Sequence, residues 1–293
     1  MAYKIGTKDG EVQDALRRIA DEQIGRALAE LAEDGTDFAG MVHQVRKRCK
    51  KLRGLLRLVR PAFDAYATEN ASFRDAARRI SGIRDARTLI ETYDAVAEHF
   101  AEAIDRRAFA PIRARLTRDA AAVRDDPDTI DRLAVFRTEM EAARGRAAGW
   151  RLEADGFDAV SGGLGRTYAR ARSRMQDAWA APDVAAMHEW RKRVKYHWYH
   201  ARLLREIHPD MMAPHVAAMD ELSELLGDHH DLAVLDARLA EGAGEFGPKT
   251  DVAAFRALVG QRMEALEDAA FSRGRLVLAE RKKALVKRWG AYW

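Results

Sequence analysis

At 293 residues the chain can form one large domain or two ordinary ones, and its composition is that of a helix-rich globular protein: 47% apolar and 33% charged residues, with 7 Pro and 20 Gly. Fifty Lys and Arg against 46 Asp and Glu leave a net charge of +4, so the distribution of charge matters more than its total. The single cysteine, Cys49, excludes an intrachain disulfide. No stretch approaches the roughly 20 apolar residues of a membrane span or forms a signal-peptide core, and the expectation is a cytoplasmic protein without membrane insertion.

In chain order the apolar residues recur at three- and four-residue steps, and no segment alternates as a strand would. Val12, Leu16, Ile19, Gln23, Ala27 and Leu31 predict a first helix that stops at Asp34-Gly35. Asp37 is placed to cap a second helix running to Arg60, just before Pro61. Asn70 starts a third, with a break at Gly82. Asp126-Pro127 and Pro182-Asp183 mark two later helix starts. Residues 155–165, carrying Gly156, Gly162, Gly163 and Gly165, read as the linker between two halves, and a further loop surrounds residues 242–248.

The most informative feature is a repeat. His43-Gln-Val-Arg-Lys-Arg-Cys-Lys50 and His188-Glu-Trp-Arg-Lys-Arg-Val-Lys195 share the pattern His-x-x-Arg-Lys-Arg-x-Lys at an offset of 145 (from 43 to 188). The same offset pairs Arg57 with Arg202 and Gly82 with Gly227; one inserted residue then pairs Arg84-Asp85 with His230-Asp231 and Leu89 with Leu235. This predicts one unit made of two helical repeats, residues 1–155 and 156–293.

Residues 38–63 contain no acidic residue but eight Lys and Arg. At 100° per residue, His43, Arg46, Lys47, Lys50 and Arg57 share one helix face, opposite Val42, Val45, Cys49, Leu52, Leu56 and Val59. In the second copy His188, Arg191, Lys192, Lys195, Tyr199 and Arg202 share a face, opposite Met187, Trp190, Val194, Ala201 and Leu204. Like charges one turn apart oppose each other by a few tenths of a kcal/mol, about 0.2–0.5 per pair. Two faces that accept this cost in register point to an anionic ligand, against the plain alternative of a solvated charged face.

His43 and His188 are followed on the same face by cations, which repel a metal, so neither fits a zinc site; a bound phosphate would instead favour their protonation. The alternative for each is a hydrogen bond to a neighbouring helix. His229, His230 and Asp231 offer a metal pocket or, more simply, helix-end packing, and His197 and His200 read as core and boundary residues. No phosphate loop, nucleophile elbow, His-Glu-x-x-His or magnesium-holding carboxylate cluster is present. Cys49 lies on an apolar face, as a core residue would. The expectation is a non-enzymatic protein that needs no cofactor and no metal.

These residues resemble the CHAD family, the conserved histidine α-helical domain, over nearly the whole chain. The resemblance is carried by His43-x-x-Arg46-Lys47, by its copy continuing to Lys195-Tyr-x-Trp-Tyr199, by Gly163-Leu164-x-Arg166-x-Tyr168 with Arg170 and Arg172, and by Leu225-Leu-Gly-Asp-His-His-Asp231-Leu-x-Val-Leu235. It implies an all-α fold of two four-helix bundles related by a pseudo-twofold axis, with a central basic channel. The implied ligand is inorganic polyphosphate, and with it a place at polyphosphate granules. On this basis His43, Arg46, Lys47, Lys50, Arg57, Arg78, Arg166, Arg170, His188, Arg191, Lys192, Lys195, Tyr199 and Arg202 form the expected binding set. Some relatives join this domain to a triphosphate-tunnel hydrolase; this chain shows no such strands and reads as a stand-alone module with no obligate protein partner.

One departure stands out. Arg74 and Arg78 correspond, at offset 146, to Asp220 and Glu224, so the channel's charge is expected to be lopsided, with the first copy contributing more of the binding energy. Other polyanions remain in play. Trp190, Tyr196, Trp198 and Tyr199 interleave with cations as in a single-strand nucleic-acid binder, although Trp190 falls on the apolar face and only Tyr199 faces the cations. A phosphoryl-transfer or polyphosphate-hydrolysing enzyme using His43 or His188, and peripheral attachment to anionic lipid, complete the alternatives.

Overall fold

The structure is a computed structural model that describes residues 3–6, 9–32, 38–102, 104–124, 126, 128–242 and 244–293, without the side chains of 83–85 and 124. Asp34-Gly35, Asp37, Pro127 and the side chains of Arg84 and Asp85 therefore lie outside the described residues. Those described build eleven α-helices and two 3-10 turns, an all-α fold.

The first helix, α1 (Val12–Ala32), buries Leu16, Ile19, Gln23, Ile24 and Ala27 at helical spacing. α2 (Phe38–Leu58) buries Val42, Val45, Cys49, Leu52 and Leu56 and gives way to a 3-10 turn over Arg60–Ala62, where Pro61 ends the α-helical ladder. α3 (Tyr66–Arg79) and α4 (Ser81–His99) are separated at Ile80, whose apolar side chain is wholly buried. The predicted start at Asn70 and break at Gly82 thus move upstream: Asn70 lies in the second turn of α3 and Gly82 in the first of α4. α5 (Arg106–Arg124) and α6 (Asp128–Ala148) follow, the latter entered through Asp126, whose carboxylate accepts from Asp128 N at 3.1 Å.

α7 (Gly156–Ala180), α8 (Val184–Leu203), a 3-10 turn at Arg205–Ile207, α9 (Pro209–Glu241), α10 (Lys249–Val277) and α11 (Lys282–Tyr292) complete the chain. Asp183 caps α8 by accepting from Ala186 N at 2.6 Å. Shifting α1, α2 and the first 3-10 turn by 145 positions lands them on α7, α8 and the second 3-10 turn. The segment spanned by α3 and α4 falls on the single continuous α9.

The expected linker is overturned at residues 156–165, which are helical. A Cβ on Gly163 would sit 1.9 Å from the Leu58 carbonyl oxygen and one on Gly162 2.9 Å from Pro61 Cγ. The glycines let α7 lie directly on the end of α2, and loop formation is not their role. The irregular connection runs instead over 149–155 and is tied down: Glu153 N donates to Ala62 O at 2.9 Å, and the Asp155 carboxylate accepts from Val12 N at 2.7 Å, at the start of α1.

Helices α1, α2, α3 and α6 pack on one another, as do α7, α8 and the first part of α9 with the 3-10 turn at Arg205–Ile207 and α11 alongside, and the two groups share one apolar core through α2, α7 and α8. A second core joins Tyr93 and Val96 of α4, Ile112 and Leu116 of α5, Leu235 and Leu239 of α9, and Phe255 and Val259 of α10. Both cores draw on residues from each side of the connection, and each fully buried Leu, Ile or Phe contributes about 1.5–3 kcal/mol. Among the described residues no helix is long and apolar enough to cross a membrane.

Candidate functional site

The two basic helices, α2 and α8, meet at Gly54 and Tyr199. A Cβ on Gly54 would lie 2.9 Å from Tyr199 Cβ, so glycine is what allows the helices to touch there. One residue on, His200 Nε2–H donates to the Gly54 carbonyl at 3.1 Å. Burial pushes the His200 imidazole down to about 3, so it stays neutral. Tyr3 closes the crossing, meeting Tyr199 edge to face at 5.9 Å while its hydroxyl donates to Lys51 O at 2.7 Å.

The outward faces of α2 and α8 line two adjoining cavities of about 390 and 410 Å³ that share Arg46, Lys50, Arg191, Lys195 and Tyr199 and so form one trough. The four cations at this junction are two repeat-related pairs, Arg46 with Arg191 and Lys50 with Lys195. The first half of the trough adds Arg53, His188, Lys192, Tyr196, His230 and Asp231. The second adds His43, Lys47, Trp198 and Arg202, with Asp220 and Glu224 on the α9 wall.

Packing and backbone groups help to hold these cations in place. Arg46 Nη1 donates to Ala77 O at 2.7 Å, in the last turn of α3, where helix carbonyls favour a positive charge. Lys195 Nζ lies 4.0 Å and the Arg202 guanidinium 4.7 Å from the centre of the Trp198 ring. Lys47, Lys195 and Arg202 make no ion pair among the described residues, whereas Lys192 pairs with Glu189. Burial pushes the Lys195 amine down to about 8, a shift that Asp220 opposes and Arg191 reinforces.

His188 and His230 face each other across the first half, Nδ1 to Nδ1 at 3.0 Å, one ring donating to the other. Burial lowers both, His230 to about 3; Lys192 and Arg191 add to the effect on His188, and Arg191 to that on His230. Both rings are therefore neutral at pH 7, and an anion bound beside them would favour their protonation.

Others of the expected residues pack beneath the trough or lie outside it. Tyr199 reaches the trough floor but is only 2% exposed, so it is a packing residue of the crossing more than a surface donor, and burial holds its hydroxyl well above the usual phenol range. Arg57 turns away from the trough: Nη1 donates to Asn70 Oδ1 at 2.7 Å, and its guanidinium stacks 3.9 Å over Tyr196. Arg78 is exposed on α3 and lines neither cavity. Arg166 and Arg170 are exposed on α7, outside both cavities; Arg170, lowered first by burial, feels Arg193, Arg60 and Arg166 as like charges.

His229 and His230 sit in the middle of α9, not at a helix end. Successive residues project about 100° apart. His229 Nε2 reaches Glu267 of α10 at 2.7 Å while His230 turns to α8, so the two do not converge on a metal. Among the described residues no cluster of three metal-ligating side chains is present. His197 and His200 are both fully buried. Sequence reasoning missed Arg53 and the role of Trp198, although Trp198 stands three residues after Lys195 and four before Arg202, the spacing that brings side chains together on a helix.

Residues 18–240 match the CHAD domain model. The chain belongs to the CHAD family. The crystal structure of the CHAD domain from the plant Ricinus communis is similar over 95% of both chains, with 17% identity and a TM-score of 0.67. PptA from Streptomyces chartreusis is similar over 89% of this chain and 98% of its own, with 15% identity and a TM-score of 0.63. At these identities the two structures support the fold alone. Comparison with curated proteins finds no match.

Proposed function

We propose that this CHAD protein binds inorganic polyphosphate along the α2–α8 trough, as a non-catalytic module acting in the cytoplasm at polyphosphate granules. The observation that carries the reading is the junction: two repeat-related cation pairs, Arg46 with Arg191 and Lys50 with Lys195, line both cavities at once. A flexible string of phosphates has no bases to read and needs only successive charge-assisted bonds. Arginine supplies these in forked form and lysine as a point charge. Neutralising several phosphates releases counterions, so affinity falls steeply with salt.

The repeat gives the trough its length. His43 and His188, equivalent in sequence, stand in opposite halves, and a chain of phosphates crossing the junction meets one copy after the other. Single-stranded nucleic acid is the competing reading, because Tyr196 and Trp198 line the trough. Yet Lys195 and Arg202 cover the ring of Trp198, and Tyr196 alone is a thin platform for base stacking. Calorimetric titration with long-chain polyphosphate and with single-stranded DNA separates the two: the proposal expects tighter, chain-length-dependent binding of polyphosphate, and preference for DNA would overturn it.

A further inference from the structure

Asp220 and Glu224 stand one turn apart on α9 and line the same half of the trough as His43, Lys47 and Arg202. A binding surface for a polyanion gains nothing from carboxylates on its wall, so their presence needs a reason. Neither makes an ion pair among the described residues, in contrast to Glu221 beside them, which is held by Arg273 on the outside of the helix. Their charge is therefore directed at the trough.

Its reach is visible at the junction. Both carboxylates favour the charged form of Lys195, Asp220 more strongly than Glu224, although Lys195 pairs with neither. The opposite half has Asp231 as its lining carboxylate. At the offset of 145 that carries α2 onto α8 and pairs Gly82 with Gly227, the first-copy equivalents of Asp220 and Glu224 are Asp75 and Arg79. Both lie on α3, Asp75 paired with Arg74 at 2.8 Å and Arg79 with Glu139 at 3.1 Å, and neither lines either half of the trough. The carboxylate pair of α9 thus has no trough-lining counterpart on α3.

Resting on the anion-binding reading, we propose that Asp220 and Glu224 are built-in competitors of the bound anion: they share the field of Lys195, Lys47 and Arg202 and repel the ligand from that half. The protein binds and releases its polyanion more readily than an all-basic trough would, and the chain of phosphates engages the His188 half first. Like charge facing a ligand acts on association and on discrimination between partners. The effect is local, since charges farther than about 10 Å are screened at ordinary ionic strength.

A purely structural role predicts the opposite sign. If the two carboxylates served to hold Lys195 and Arg202 in position, their neutralisation would weaken binding. The test is calorimetric titration of the full chain with long-chain polyphosphate at about 0.1 M salt, comparing wild type, Asp220→Asn/Glu224→Gln, and Asp64→Asn/Glu141→Gln. The last removes two exposed carboxylates outside the trough and so matches the change in net charge. We expect the trough variant to bind about fivefold tighter and the control to move less than about twofold, as suits screened surface charge. Equal or weaker binding by the trough variant, or a control that gains as much, overturns the competitor proposal. Absence of binding by the wild type overturns the anion-binding reading beneath it, so the two failures are distinct.

Discussion

Gly54 and Tyr199 lie 145 positions apart in the chain and in direct contact in the fold, with only 2.9 Å between Tyr199 Cβ and the place a Gly54 Cβ would take. Sequence-equivalent positions thus meet at the crossing of the two basic helices, and the trough's geometry depends on how closely they approach. Gly54→Ala is expected to push α2 from α8 and cost about 1–3 kcal/mol, as overpacking does. Gly163→Ala costs more, because the obstacles are the Leu58 and Arg57 carbonyl oxygens, at 1.9 and 2.5 Å, and no side chain there can rotate away. Gly260→Ala, in open space within α10, stabilises by up to about 1 kcal/mol. Thermal melts of the three variants check this order; a Gly163→Ala protein as stable as wild type would contradict it.

The two copies of the basic motif are unequal. Lys192 is already engaged by Glu189, while its equivalent Lys47 makes no ion pair among the described residues. Replacing Arg46, Lys47 and Lys50 by alanine is therefore expected to cost more polyphosphate affinity than replacing Arg191, Lys192 and Lys195. Each lost phosphate contact lowers the slope of log affinity against log salt by about one. Titrations at two or three salt concentrations give both quantities, and equal losses for the two triple variants would show that the copies act alike.

Binding and stability respond to pH in opposite ranges. Burial pushes the Lys195 amine down to about 8, and the anion needs its charged form. Affinity is expected to fall from pH 7 to pH 9, and Lys195→Arg, which stays charged, to flatten that fall. Stability has the other sign. Burial holds His200 and His230 near 3 and His215 near 4, against about 6.5 in the unfolded chain. Below that value the unfolded chain takes up protons that the fold refuses, so stability is full above about pH 6.5 and is lost as pH falls towards 4. A melting temperature unchanged between pH 7.5 and pH 5 would contradict this.

Much of this was legible in the residue pattern. Apolar spacing placed α1 and α2, and the His-x-x-Arg-Lys-Arg-x-Lys repeat located the four junction cations before any contact was known. What escaped depends on partners that a helical wheel does not contain. Tyr199 shares a face with Arg191 and Lys195 but falls where that face is covered by α2. Arg57 shares a face with Lys50, yet Asn70 and Tyr196 draw it aside. Gly162, Gly163 and Gly165 look like a linker because close helix packing and chain flexibility both select glycine. The neighbours His229 and His230 look like a ligand pair until their helix is seen to turn them towards different partners.

The central claim is tested most directly by titrating the protein with long-chain polyphosphate, orthophosphate and single-stranded DNA at two salt concentrations, beside a variant with Arg46, Lys50, Arg191 and Lys195 all changed to alanine. The account predicts salt-sensitive binding of polyphosphate, stronger for long chains than for orthophosphate or DNA, and lost in the variant while its helical content is kept. Undiminished binding by a folded quadruple variant, or tighter binding of DNA than of polyphosphate, would contradict it.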